Sequence, residues 1–345
     1  MRIPLAVPAA LAAAVLVVSA APARAQIFES VGTRAQGMGG AFVAIADDAT
    51  ATWWNPAGVA GGAYANAVIE YGQMQQPRNE HDASGQPVDA WRTRPRGFSL
   101  AFPALGLSYY RLSLSEMQPI SPTAAGGVSR QDQGTASVRL RALVLDQFGA
   151  TVGQSVGNHL VIGSTLKLVR GSVISALAGS ADASLDAAQA LNGSTETHVD
   201  LDLGAMATFG HFRAGATVRN VRAPEFGTGD DRMALARQAR AGIAVVGRSP
   251  GLINQIALAF DADLTKTMTA VGEERHVAGG IEAFTLKSHL GLRAGLSGNT
   301  IGAARVSPSV GASLGVRSSV YLEGQLTGGN DQARHGWGID LRLTF

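Results

Sequence analysis

The 345-residue chain contains no cysteine. That absence excludes disulfides, thiolate metal sites and thiol catalysis, so stability must have another source. Past the amino-terminal stretch there is no run of about 18 apolar residues, which argues against a spanning helix. Net charge is also lacking. Without Arg2 and Arg24, the 28 basic residues fall to 26, equal to the 26 acidic ones, and nothing points to nucleic acid or an acidic partner. No H-E-x-x-H, calcium-loop spacing or G-x-G-x-x-G occurs, so neither a metal nor a cofactor is expected.

Residues 1–25 read as a secretory signal: a charged start at Met1-Arg2, an apolar run from Leu5 to Ala21, and a small-x-small cleavage site at Ala23-Arg24-Ala25. The mature chain is expected to begin at Gln26. From residue 63 onward the pattern is period 2. At the end of the chain Trp337, Ile339, Leu341, Leu343 and Phe345 alternate with Gly338, Asp340, Arg342 and Thr344. Eight steps of about 3.3 Å give roughly 26 Å, enough for a tilted strand to cover most of an apolar band roughly 25 Å tall.

The same pattern predicts strands at 63–72, 93–103, 105–116, 136–154, 159–175, 197–210, 212–222, 236–247, 254–266, 275–286, 288–298, 304–316, 318–329 and 333–345. The connections alternate between long polar loops, such as 73–92, 117–135, 176–196 and 223–235, and tight turns. Short turns at one end and long loops at the other are the habit of outer-membrane barrels. The expected fold is therefore all-β, a 14-stranded antiparallel transmembrane β-barrel spanning 63–345. Two stretches disturb the alternation. Pro103 and the run Leu112-Ser-Leu-Ser do so in one, and Asp146 among Leu140, Val144 and Phe148 in the other. They read as a bulge, a stretch above the bilayer, or a kink that opens the wall.

Residues 26–62 do not read as strand and are expected to form an N-terminal plug inside the barrel. Fourteen strands enclose more space than wall side chains alone can fill. Asp47 or Asp48 can cap a short helix running to about Trp53. Asn55, preceding Pro56, should be extended and end it. The motif Arg34-x-x-Gly37-Met-Gly39-Gly40 … Asp47-Asp48 … Asn55-Pro56-Ala57-Gly58 resembles the amino-terminal hatch of FadL-type outer-membrane proteins, most closely their PorV/PorQ-like relatives. Val218-Arg-Asn220-Val…Pro224-Glu-Phe226 also resembles a stretch of the PorV-like branch.

The resemblance implies a fourteen-stranded barrel in a Gram-negative-type outer membrane, surrounded by its lipids. It also implies passive transport of a hydrophobic small molecule, such as a long-chain fatty acid or aromatic hydrocarbon, gated by the plug. The PorV-like alternative is a binding or assembly protein that docks exported proteins or a secretion system. Phe42, Trp53 and Trp54 are candidate ligand contacts, or anchors of the plug. Polar faces rich in Gly, Ser, Asp and Arg suggest a wet lumen. There Asp200/Asp202 and Asp261/Asp263 are expected to pair with arginines such as Arg293 or Arg305, the alternative being a cation site.

No catalytic residue is expected. Gly153-Gln-Ser155-Val-Gly157 and Gly311-Ala-Ser313-Leu-Gly315 match G-x-S-x-G but lack its strand–turn–helix context. Ser164 and Lys167 fit S-x-x-K, yet within a strand they point to opposite faces.

Overall fold

The computed structural model describes residues 31–345 apart from 77–79, 83–84, 121–136, 229–231, 270–271, 303 and 332–333. The expected signal, residues 1–25, lies outside the described residues, as do 26–30. Fourteen antiparallel strands close into one barrel. They are β1 (Asn66–Gln76), β2 (Ala90–Phe102), β3 (Leu105–Ile120), β4 (Ser137–Val156), β5 (Leu160–Gly179), β6 (Thr195–Phe209) and β7 (Phe212–Arg219). Then follow β8 (Gln238–Arg248), β9 (Ile253–Asp263), β10 (His276–Thr285), β11 (Leu290–Asn299), β12 (Val306–Arg317), β13 (Val320–Thr327) and β14 (Gly336–Thr344), which pairs back onto β1. Closure leaves no sheet edge, so ladder hydrogen bonds replace the missing disulfides as the source of stability.

Register carries the two faces around the whole wall. Ile69, Phe98, Leu107, Phe148, Leu166, Leu203, Ile243, Leu258, Leu292, Val310, Leu322 and Ile339 all point outward and are exposed, an apolar surface suited to lipid. An aromatic belt marks its upper border: Trp337, Tyr71, Phe98, Tyr109 and Phe148, with ring centres of successive contacting pairs 4.7–5.9 Å apart. The described parts of loops 77–89, 180–194, 220–237, 264–275, 300–305 and 328–335 lie at one end, and turns such as 103–104, 210–211 and 318–319 at the other.

The two disturbed stretches do not open the wall. β2–β3 and β3–β4 keep one uninterrupted register from end to end, with Pro103 in the turn between β2 and β3. Asp146 points outward just above the aromatic belt, where it accepts the Tyr109 hydroxyl at 2.7 Å and faces Arg111 at 3.4 Å. Leu112 and Leu114 point inward and Ser113 and Ser115 outward, so polarity inverts where the strand rises beyond the lipid band while the phase is unchanged. The ladder is interrupted elsewhere. Between β1 and β2 the pairing skips Gly72 and Gln73 opposite Pro95 and Arg94. Pro95 has no N–H to give, and its ring packs on the bare backbone of Gly72.

Above the belt, helix α3 (Leu185–Gln189) folds back over the outer wall of β2–β4. Ser184 caps it by accepting the Ala187 N–H at 3.0 Å. Leu185 and Ala188 pack on Met117, Val138 and Leu140, and Arg92 ties Asp186 to Glu80 of the first loop.

Candidate functional site

Residues 31–60 pack against the inward side of the wall and are almost entirely buried. Helix α1 spans Thr33–Gly37, α2 spans Ala51–Trp54, and a 3-10 helix spans Pro56–Ala60. The segment approaches several wall positions so closely that only glycine leaves room. A Cβ on wall residue Gly204 would lie 2.1 Å from Asn55 Oδ1, one on Gly163 2.3 Å from the Pro56 carbonyl carbon, and one on Gly295 2.1 Å from Gly39 N. Within the segment, Gly58 has the same duty, since a Cβ there would meet Ala46 O at 1.8 Å. Gly39 and Gly40 hold φ of 70° and 86°, the left-handed region where a side chain is strained.

The hatch-like motif supplies the polar anchors. Arg34 donates from Nε and Nη2 to both oxygens of Glu282, at 2.8 and 2.6 Å, and from Nη1 to Asp47 and Asp48, at 2.6 and 3.1 Å. Glu282 is shared with Arg293, which reaches on to Glu323 and thence to Arg342. Asp48 accepts the Thr50 N–H at 2.9 Å and leads into α2. Asn55 is extended at φ −159°. Its amide donates to Val43 O at 2.9 Å and to Ala205 O of β6 at 3.1 Å, while its oxygen accepts from Ala57 N. Gly37 O accepts from Ser309, and Gly40 O from Arg240.

Asp202 and Asp263 pair with arginines, as expected, but with Arg219 and Arg240 rather than Arg293 or Arg305. Asp200 and Asp202 hold Lys167 at 3.0 and 2.7 Å, with Arg219 3.6 Å from Asp202. Asp261 receives the N–H groups of Phe42 and Val43, both at 2.8 Å, and Asp263 pairs with Arg240 at 2.6 Å. Arg305 sits among the long loops with Glu274 and Asp331 rather than beside either aspartate pair. Asp200, Asp202 and Asp261 are buried rather than wet: Phe42 and Val43 cover Asp261, while Asn220 and Arg222 of the β7–β8 loop donate to Asp202 and Asp200. Ser313 is equally occupied, between Arg293 and Glu323 in mid-strand.

One patch of the inward face is apolar, set among the polar side chains Ser108, Glu116, Gln147, Thr165 and Lys167 of the same strands. Tyr110 and Leu112 of β3, Leu143 and Leu145 of β4, and Val169 and Val173 of β5 form a buried apolar cluster there. Trp53 borders it, edge-on to Tyr110 at 5.2 Å and covered by the Arg219 guanidinium at 3.5 Å. Phe226, Met233 and Leu235, from the loop between β7 and β8, complete the cluster, the Phe226 ring lying over Gly171. Phe42 and Trp54 lie elsewhere: they meet each other edge-on at 5.9 Å, and the Trp54 indole donates to Val31 O. Of the three candidate aromatics, Trp53 borders the apolar cluster. Leu143-Val144-Leu145, three apolar residues in a strand with one lipid face, was the sequence signal for it.

At the long-loop end, Glu274, His276 and Asp331 lie together, fully buried. Arg305 and Arg334 bind the two carboxylates, at 2.8–3.5 Å. Two guanidiniums already balance two carboxylates, so the donor set suits an ion-pair clasp between loops better than a metal.

The family model described as "F plasmid transfer operon, TraF, protein" matches residues 30–271. No curated protein sequence matches. Among solved structures, the CymD monoaromatic hydrocarbon channel is similar with a TM-score of 0.58 at 13% identity, over 92% of this chain and 98% of that one. The Ralstonia pickettii toluene transporter TbuX gives 0.56 at 12%, over 92% and 99%. A Pseudomonas aeruginosa FadL homologue gives 0.52 at 10%, over 94% and 98%. At these identities the likeness is one of fold. It places the barrel with FadL-type structures, while the matching family model is a different one from the PorV/PorQ-like branch suggested by the motif.

Proposed function

The chain belongs to the family described as the F plasmid transfer operon TraF protein, and within that family we propose that it is a passive outer-membrane channel for hydrophobic small molecules, gated by residues 26–62. The substrates proposed are long-chain fatty acids or aromatic hydrocarbons. The observation that carries this reading is the apolar cluster of Leu112, Leu143, Leu145, Val169 and Val173 on the inward face of a barrel whose exterior is also apolar. A pore for polar solutes keeps a polar, water-filled lumen. An apolar lumen wall offers hydrocarbon a surface that water cannot use. The FadL-type structural neighbours, described as a hydrocarbon channel and a toluene transporter, support the same class.

Entry from the long-loop end would meet Phe226 and Met233 first and Trp53 beneath them. Onward passage requires the segment 31–60 to move from its glycine seats. Purified protein should bind oleate or an alkylbenzene saturably, and Leu145→Asp should weaken that binding at least about tenfold by placing a charge in the apolar cluster. No binding of either ligand by the parent protein overturns the proposal.

A second reading is that the loops dock exported proteins or a secretion apparatus. The family's description, which names a plasmid-transfer operon, favours it. Crosslinking from 176–196 or 223–235 separates the two: a protein partner favours docking, and lipid alone favours transport.

A further inference from the structure

The outward arginines of β2–β5 form a row. Arg96 lies opposite Arg111, Arg111 opposite Asp146, and Asp146 opposite Arg170, on four adjacent strands. At about 4.8 Å per strand the row is roughly 14 Å long. Arg96 and Arg170 are exposed and have no ion-pair partner among the described residues, whereas Asp146 is engaged by Tyr109 and Arg111. Three guanidiniums against one carboxylate leave the row with an excess of two positive charges.

Its position gives it meaning. On each of these strands the outward apolar run ends at this row, and one step toward the turn end lie Phe98, Tyr109, Phe148 and Leu168. These four, with Leu100, Leu107, Ala150, Leu166 and others, line an apolar groove of about 480 Å³ on the lipid-facing wall. Cations at the border and a groove descending into the apolar band match one kind of molecule, an amphiphile with an anionic head and hydrocarbon tails. A larger groove of about 920 Å³ crosses β6–β11 between Phe209 and Leu296. The outward positions above it are Ala239, Ala262, Val277 and Gly298, so that groove has no charged border and reads as ordinary lipid contact.

We propose that the outer wall of β2–β5 is a specific site for a phosphorylated lipid of the outer leaflet, its phosphate on Arg96, Arg111 and Arg170 and an acyl chain in the groove beneath. The site concerns the membrane around the barrel and is independent of what crosses the lumen.

The test uses the full mature chain in detergent micelles, titrated with lipid A, with dioleoylphosphatidylcholine and with inorganic phosphate, and read by native mass spectrometry. The parent should bind lipid A at least about tenfold tighter than the zwitterionic lipid and should bind phosphate alone negligibly. Arg96→Gln/Arg170→Gln, which leaves the Arg111–Asp146–Tyr109 contacts intact, should abolish that preference while leaving phosphatidylcholine binding unchanged. Ala150→Phe, which fills the groove, should weaken lipid A binding without removing a charge. Equal binding of both lipids by the parent overturns the proposal, as does an undiminished preference in the double-arginine variant. Tight binding of phosphate alone would overturn the lipid and leave only an anion site.

Discussion

Glu282 holds two arginines, Arg34 from the lumenal segment and Arg293 from the neighbouring strand, and all three are buried. Removing a partner from such a group leaves charge without compensation in a dry place, at a cost of about 3–5 kcal/mol. Glu282→Ala should therefore lose that much stability in urea unfolding from lipid vesicles, with the earliest loss of amide protection around Arg34. A change under about 1 kcal/mol would show that the guanidiniums find other partners. At this scale, legibility in the sequence followed sequence distance. The extended Asn55 is dictated by Pro56 next to it, and the observed φ of −159° agrees. That the same side chain bridges Val43 and Ala205 could not be read, because Ala205 is 150 residues away in sequence. Lys167 as partner of Asp200 and Asp202 was hidden for a related reason: which inward side chains stand level depends on the stagger between strands, which no single strand reveals.

The strands themselves were written plainly, and every observed end falls within four residues of the expected one. Period-2 alternation between lipid and lumen is a strong constraint when one face must be apolar. The signal failed where both faces are apolar, at Leu143-Val144-Leu145, and where polarity inverts above the membrane, at Leu112-Ser-Leu-Ser. Both are places where the environment changes along a strand of constant geometry. The loops depend on chemistry of their own. Burial alone would push the Glu274 carboxyl up, but Arg334 foremost, then His276 and Arg305, hold it down at about 2. A depressed carboxyl stabilises the folded loops fully above its ordinary value of 4.5, and that contribution vanishes as pH falls toward 2. A carbon-13 carboxyl titration should place the Glu274 midpoint near 2. A midpoint at or above the ordinary value would mean that the clasp of Arg305, Arg334 and Asp331 does not hold in solution.

The whole molecule is a closed barrel with the segment 31–60 seated against its inward face. Glycine contacts hold the segment on β5, β6 and β11, and a chain of buried ion pairs holds it on β10–β14. Beside Trp53, apolar side chains of β3–β5 cluster with Phe226, Met233 and Leu235. The central claim is that passage past this cluster requires the fastened segment to let go. Gln36 of the segment and Gln325 of β13 meet where the segment is seated, the Gln325 amide donating to Gln36 Oε1 at 2.9 Å. Cysteines at these two positions can be joined by a short bifunctional thiol reagent that carries an internal disulfide, and the chain has no other cysteine to compete. The most direct measurement is oleate and alkylbenzene uptake by proteoliposomes carrying Gln36→Cys/Gln325→Cys joined in this way, compared before and after reduction. Uptake abolished in the joined protein and restored to the parent rate by reductant is the predicted result; equal uptake in both states would contradict the account.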